Sequence, residues 1–185
     1  MPERRSGHEY QLAFDFTQKP ESPPPDQIIR AGTFANFDAR ESQLGRFIRS
    51  VEYDTAVQSP AVAARFLMQE IFTPFEEFTQ EELVALMLNR KNIITHTALI
   101  YRGNIDGIFV RNAEVYRPAV LANARSIMIA HNHPSGDPSP SPHDVRFTES
   151  CLEAGRILDI QLLDHLIIGD GRWVSLRERK LGFKE

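Results

Sequence analysis

Cysteine is almost missing from this chain: Cys151 is the only one in 185 residues. No intrachain disulfide can form, and no Cys-x-x-Cys pair exists for structural zinc or dithiol redox chemistry. A lone thiol fits a reducing compartment. A basic excess is missing too. Lys and Arg number 21 against 25 Asp and Glu, leaving a net charge of -4. That is not the footprint of a protein held mainly to a nucleic-acid backbone, although a local basic patch is compatible with it. No apolar run approaches the length of a membrane span. The first residues, Met-Pro-Glu-Arg-Arg-Ser-Gly-His, have no apolar stretch of the secretory-leader kind. The expectation is a soluble cytoplasmic protein. What is present, 42% hydrophobic and 25% charged residues, is globular composition, and the length suits one domain plus a tail.

Residues 1–43 differ from the rest. Residues 17–26 (TQKPESPPPD) hold four prolines, which suit neither helix interiors nor sheet centres. This part reads as a flexible, proline-rich arm. Within it Tyr10, Leu12, Phe14 and Phe16 alternate like a short strand, either transient or able to dock. The ordered domain is expected over residues 44–185. Ser59-Pro60 reads as a helix start, with Val62, Phe66 and Ile71 as the apolar stripe. Residues 82–88 (ELVALML) and 93–101 read as strands, and residues 113–123 as a helix whose first turn Pro118 delays. Residues 126–130 (SIMIA) form a short buried strand, and 145–158 a helix. Residues 161–168 and 172–175 make two strands joined by Gly169-Asp170-Gly171. Alternating strands and helices give an α/β class: a mixed β-sheet covered by helices.

The strand at 126–130 runs into His131-Asn-His133, and seven residues later come Ser141 and then Asp144. In extended chain, residues i and i+2 face one side, so both imidazoles can address one ion while Asn132 turns away. Four prolines (134, 138, 140 and 142) stiffen the loop that brings Asp144 opposite them. Two histidines and a carboxylate hold one zinc and leave a position for water. Ser141-Pro142-His143-Asp144 is also a good helix start, with Ser at the N-cap, Pro at N1 and an acid at N3. Capping accounts for Ser141 and Asp144 but not for the histidine pair. Such a spacing arises by chance on the order of once in a thousand chains of this composition.

Hydrolytic metal chemistry also needs a proton acceptor. From the residues alone Glu81, Glu82 and Glu114 compete for that role. The motif set then resembles a known family. A distant glutamate followed by H-x-H, seven residues, Ser, two residues and Asp is the JAMM signature of the JAB/MPN metalloproteases. More narrowly, residues 110–120 (VRNAEVYRPAV), 130–138 (AHNHPSGDP) and 163–171 (LDHLIIGDG) resemble the RadC-like JAB branch. The resemblance covers roughly residues 44–185. It implies a cytidine-deaminase-like α/β/α layered fold, one zinc per chain on His131, His133 and Asp144, and cleavage of peptide or isopeptide bonds. It implies Glu82, just before an apolar strand, as the proton acceptor, and Ser141 as a donor to the developing oxyanion. A protein or peptide substrate follows, with a ubiquitin-like tail as one form of it. RadC proteins usually carry an N-terminal helical domain of helix-hairpin-helix character. This chain, with its proline-rich arm, resembles the short members instead.

Other residues have weaker claims. Asp164-His165 is either an outer support of the ligating histidines or a packed, hydrogen-bonded pair. His143 is expected on the exposed side of its helix, His8 and His96 on the surface, and Cys151 and Trp173 in the core. The competing functions are two. One is an accessory protein of DNA repair or mobile elements whose JAB domain mainly binds; the acidic balance counts against nucleic acid as its partner. The other is a deaminase-like hydrolase, but the H-x-E and P-C-x-x-C pattern of that class is absent.

Overall fold

The computed structural model describes residues 48–51, 55–103 and 110–183. The arm at 1–43, its alternating patch, His8 and the domain start near Leu44 lie outside the described residues.

Among the described residues six strands and three α-helices form in the order β1 (Ile48–Ser50), α1 (Pro60–Phe66), β2 (Glu81–Leu88), β3 (Ile94–Gly103), α2 (Asn112–Leu121), β4 (Ser126–Asn132), α3 (Pro142–Leu158), β5 (Gln161–Ile168) and β6 (Trp173–Ser175). They make one sheet in the order β1-β3-β2-β4-β5-β6. The β4–β5 pair is parallel and the other neighbours are antiparallel, so the sheet is mixed.

Each central strand is apolar on both sides, which is why both faces are covered. Val84, Leu86 and Leu88 of β2 and Met128 and Ala130 of β4 pack with Ala63, Ala64 and Phe66 of α1. Leu83, Ala85, Met87, Ile127 and Ile129 face the other way, onto Val115, Tyr116 and Ala119 of α2 and Cys151 of α3. The result is three layers, with α1 on one face and α2 and α3 on the other. This is the expected α/β architecture.

Several local expectations need correction. Pro60 does open α1, but Ser59 makes no side-chain capping bond. The stripe runs through Ala63, Ala64 and Phe66 into a π-helical turn over Leu67–Ile71, while Val62 is half-buried. Pro118 does not delay α2, which begins at Asn112 and runs through it. A proline inside a helix costs about 3 kcal/mol. Val115, Tyr116 and Ala119 are all buried by that helix, and full burial of one large apolar side chain contributes about 1.5–3 kcal/mol. Packing therefore outweighs the break. Trp173 is half-buried beside the α1-side core rather than inside it.

Candidate metal centre

The site is built where β4 ends and α3 begins. His131 and Asn132 close β4, and His133 follows, its N–H bonded to the Ile168 carbonyl at the end of β5. Parallel β4 and β5 thus finish together and deliver the histidines to one end of the sheet. The helix start comes from the capping grammar. Ser141 Oγ accepts from the Asp144 N–H, and the Ser141 N–H and hydroxyl both donate to Asp144 Oδ2 at 2.7 Å. With Oδ2 taken by Ser141, Oδ1 is left 3.3 Å from His131 Nε2. One turn therefore caps the helix and aims a carboxylate.

The ligand atoms converge. His131 Nε2 and His133 Nε2 are 3.0 Å apart, and His133 Nε2 is 4.0 Å from Asp144 Oδ2. His131, His133 and Asp144 form a group that could hold a metal ion, with ligand atoms all within 4.8 Å. Ligand atoms around a four-coordinate zinc sit about 3.3 Å apart, for bonds of about 2 Å.

The hydrogen-bond network fixes the tautomers. Thr148 Oγ1 donates to the Asp144 carbonyl at 2.6 Å, because a carbonyl only accepts. Thr148 Oγ1 must then accept from His165 Nδ1, 2.7 Å away. His165 Nε2 is left with a lone pair and accepts from His131 Nδ1 at 2.9 Å. On the other side, His133 Nδ1 donates to the Asp137 carbonyl at 2.8 Å. Both Nδ1 atoms carry a proton, so with both rings neutral the two Nε2 atoms point lone pairs at each other. Two lone pairs at 3.0 Å repel unless a cation lies between them. This donor set fits a divalent metal.

Electrostatics agree. Burial, then the nearby His165, holds His131 well below the ordinary imidazole value, so it stays neutral and available as a ligand. Burial pushes His165 down to about 4. Burial alone would raise the Asp144 carboxyl, but His131 and the bonds from Ser141 outweigh it and hold the group below its usual value.

Glu82, the expected proton acceptor, does not line the cleft of the ligand set. In the β2–β4 ladder Leu83 is opposite His131. Residues facing one another across an antiparallel pair share a side. Glu81, two before Leu83, therefore lies on the histidine side, and Glu82 lies on the other. Glu82 faces the α1 side of the sheet, where its Oε1 sits 2.6 Å from Arg102 Nε. It lines a cavity of about 170 Å3 with Thr73, Phe78 and Gln80. Burial raises its carboxyl against the pull of Arg102. Glu81 instead lines a cleft of about 220 Å3 together with His133, Ser135, Ser141, His143 and Asp144. The structure thus brings Glu81, and not the expected Glu82, into the cleft with the ligand set. Glu114 is not in that cleft and pairs with Arg111 at 3.1 Å.

Asn132 is turned away from the histidines, as expected, and has a task of its own. Its Oδ1 accepts from the Glu82 N–H at 2.7 Å and its Nδ2 donates to the Gln80 carbonyl at 3.2 Å. It ties the start of β2 to the end of β4 and so fixes where Glu81 emerges. Sequence reasoning missed this role, and that of Thr148. The Asp164-His165 pair divides. His165 supports a ligating ring, whereas Asp164 bonds to the His165 N–H, Ser175 Oγ and the Arg177 N–H, a packing role. His143 is half-buried in the cleft, with its Nδ1 enclosed and unpartnered, rather than outside it. His96 is half-buried beside Thr95, and Cys151 is buried.

The loop between the ligands is clamped from the turn that joins β5 to β6. The Gly136 carbonyl accepts from the Asp170 N–H at 3.2 Å and from Arg172 Nη2 at 2.9 Å. Gly169 lies against that carbonyl so closely that a Cβ would collide with it. This places the Asp137 carbonyl where His133 Nδ1 finds it.

Comparison with known proteins agrees with this geometry. The family model for the RadC-like JAB domain matches residues 57–181. A UPF0758 protein of Roseiflexus castenholzii is 43% identical over 143 residues, 76% of this chain and 60% of that protein. One from Chloroflexus aurantiacus is 43% identical over 144 residues, 77% of this chain and 61% of the relative. One from Geobacillus sp. is 41% identical over 139 residues, covering 74% and 60%. The chain spans about three-fifths of the length of these relatives. Among the described residues no helix is long and apolar enough to cross a membrane. On the strength of the family match and these relatives, the chain belongs to the RadC-like JAB domain family.

Proposed function

We propose that this protein is a zinc-dependent peptidase or isopeptidase acting on a protein or peptide tail. The observation that carries the reading is the meeting of His131 Nε2, His133 Nε2 and Asp144 Oδ1 beside a cleft that His133, Asp144 and Glu81 line. His131, His133 and Asp144 would hold the metal. When bound, it supplies Lewis acidity, making water a competent nucleophile near neutral pH and polarising a carbonyl.

The chain's own residues do the rest. Glu81 accepts the proton of the attacking water at its carboxylate and returns it to the leaving amine. His165 and Thr148 keep His131 neutral at Nε2. Ser141 holds Asp144 in place. The oxyanion role expected for Ser141 requires its hydroxyl to leave Asp144 Oδ2 as substrate arrives; the bonds described above favour the positioning role. The rim also carries His133 and His143, so a substrate crosses the sheet end between β2 and α3.

The test is cleavage of a peptide and ubiquitin-like-tail library by the zinc-loaded full chain, with chelated protein and Glu81→Gln as controls. Zinc-dependent cleavage that Glu81→Gln abolishes while retaining stoichiometric zinc supports the reading. Stoichiometric zinc with no cleavage of any tail, or equal cleavage by Glu81→Gln, rejects it.

A further inference from the structure

A second concavity lies at the other end of the sheet. It has a volume of about 600 Å3 and is lined by Arg125, Arg156, Arg177 and Lys180, with Asp159 and Phe183. Arg125 precedes β4, Arg156 is in the last turn of α3, and Arg177 and Lys180 follow β6. Four basic side chains and one acidic one line this concavity, in a chain whose overall charge is -4. The wall is therefore a local inversion of the molecule's charge.

Two of the guanidiniums are oriented by peptide carbonyls. Arg125 Nη1 donates to the Asp159 carbonyl at 3.4 Å, and Arg177 Nη1 to the Leu163 carbonyl at 2.8 Å. A peptide carbonyl orients a guanidinium but carries no net charge. Arg177 also lies over the Phe183 ring, 6.0 Å from its centroid. The concavity thus joins a fixed cationic wall to an aromatic face. Its volume falls in the range of about 300–1,000 Å3 usual for small-molecule sites.

The site is remote from the metal group. Ser126 and Gln161, which open the parallel pair, are at this end, and Asn132 and Ile168 close it at the other. At ~3.3 Å per residue the two ends are about 20 Å apart. A ligand on the Arg125–Gln161 side lies away from His131 and His133, while Gly182, beside Phe183, packs on Thr148 of the metal-side network.

We propose that this concavity binds an organic phosphate of nucleotide size, its phosphates on Arg156, Arg177 and Lys180 and its ring against Phe183. Guanidinium forks match phosphate oxygens in pairs, and several cations suit a polyphosphate better than a single carboxylate. A flat ring completes the apolar half, as bases do on aromatic side chains. A free nucleotide and a terminal unit of an oligonucleotide present the same chemistry, and the experiment separates them.

The full chain, with and without added zinc, is titrated by calorimetry with ADP, pyrophosphate, adenosine and a short single-stranded oligonucleotide, and amide shifts are mapped by NMR. ADP is expected to bind saturably with Kd below about 1 mM, unchanged by zinc, with shifts confined to residues near 125, 152–162 and 176–183. Pyrophosphate binds more weakly and adenosine more weakly still. Arg156→Glu and Lys180→Glu, both at exposed positions, weaken ADP about tenfold or more. Phe183→Ala weakens ADP but not pyrophosphate. An oligonucleotide that binds more tightly than ADP identifies nucleic acid as the source; one that binds equally or more weakly identifies free nucleotide. No saturable ADP binding, shifts on residues 131–144 instead, or wild-type ADP affinity in both charge reversals overturns the proposal.

Discussion

His131 Nδ1 is bonded to His165 Nε2 at 2.9 Å, and that bond decides which nitrogen of His131 faces the metal group. The chain of donors continues through Thr148 to the backbone carbonyl of Asp144. The residue whose carboxylate faces His131 Nε2 therefore also sets, through its own carbonyl, the tautomer that leaves that nitrogen unprotonated. Ligand geometry and ligand protonation are closed into one loop across β4, β5 and α3.

His165→Gln is expected to weaken zinc binding about 10–100-fold, the usual cost of losing an outer partner of a ligating histidine. The glutamine fills much of the volume but does not hold the ring-to-ring geometry. Thr148→Val removes the hydroxyl that orients His165 and is expected to act in the same direction. Competition with a calibrated chelator measures both. Unchanged zinc affinity in His165→Gln, with the fold intact by circular dichroism, would show that the bond plays no part in ligation.

Glu81→Gln and Glu82→Gln are expected to separate. The first keeps zinc and loses about 10²–10⁴-fold in turnover, the range for general acid–base groups. The second keeps turnover and lowers stability by about 1–3 kcal/mol, because it breaks a buried pair whose Arg102 partner is only partly exposed. Turnover on the best library substrate and urea denaturation give the two numbers. Loss of turnover in Glu82→Gln alone would restore the assignment made from the motif.

This contrast marks how far the sequence could be read. The central strands were legible because their runs are apolar on both faces, and the start of α3 because Ser141, Pro142 and Asp144 are capping residues in capping order. The His131, His133 and Asp144 set was legible because two ligands sit two apart on a strand end and the third at a helix start. Glu81 against Glu82 was not legible. The choice depends on which face of β2 matches His131, a cross-strand register that one strand's residues do not encode. Thr148 was not legible either, since its place in the network comes from the packing of α3 on β5. Pro118 misled for the same kind of reason: local propensity lost to buried contacts.

The metal-free protein is expected to lose stability as pH falls from about 6.5 toward about 4. His165 is held at about 4, and His131 well below its ordinary value, both first by burial. An unfolded histidine takes its proton near 6.5. Through this window the unfolded chain binds more protons than the folded one, so stability rises with pH and is complete above the unfolded value. Asp164, raised by burial, acts the opposite way near the acid end of the window. Thermal unfolding of chelated protein between pH 4.5 and 7.5 checks the slope. A midpoint that is flat or rises on acidification would contradict neutral burial of the pair.

Gly169→Ala is expected to damage the metal centre from a distance, and Gly171→Ala is not. A Cβ at 169 would collide with the Gly136 carbonyl and meet Pro138 Cδ at 2.8 Å. Both contacts belong to the loop that carries the Asp137 carbonyl, the acceptor for His133 Nδ1. The loop must move, at about 1–3 kcal/mol of overpacking, and His133 loses the bond that fixes its tautomer. At Gly171 nothing lies within 4 Å of a Cβ, but φ is +64°. Alanine there costs about 1 kcal/mol of backbone strain and leaves the loop in place. Equal falls in unfolding temperature with a fall in zinc affinity only for Gly169→Ala would tie the Gly-Asp-Gly turn to ligation rather than to folding alone. Equal zinc affinity in the two variants would confine that turn to the fold.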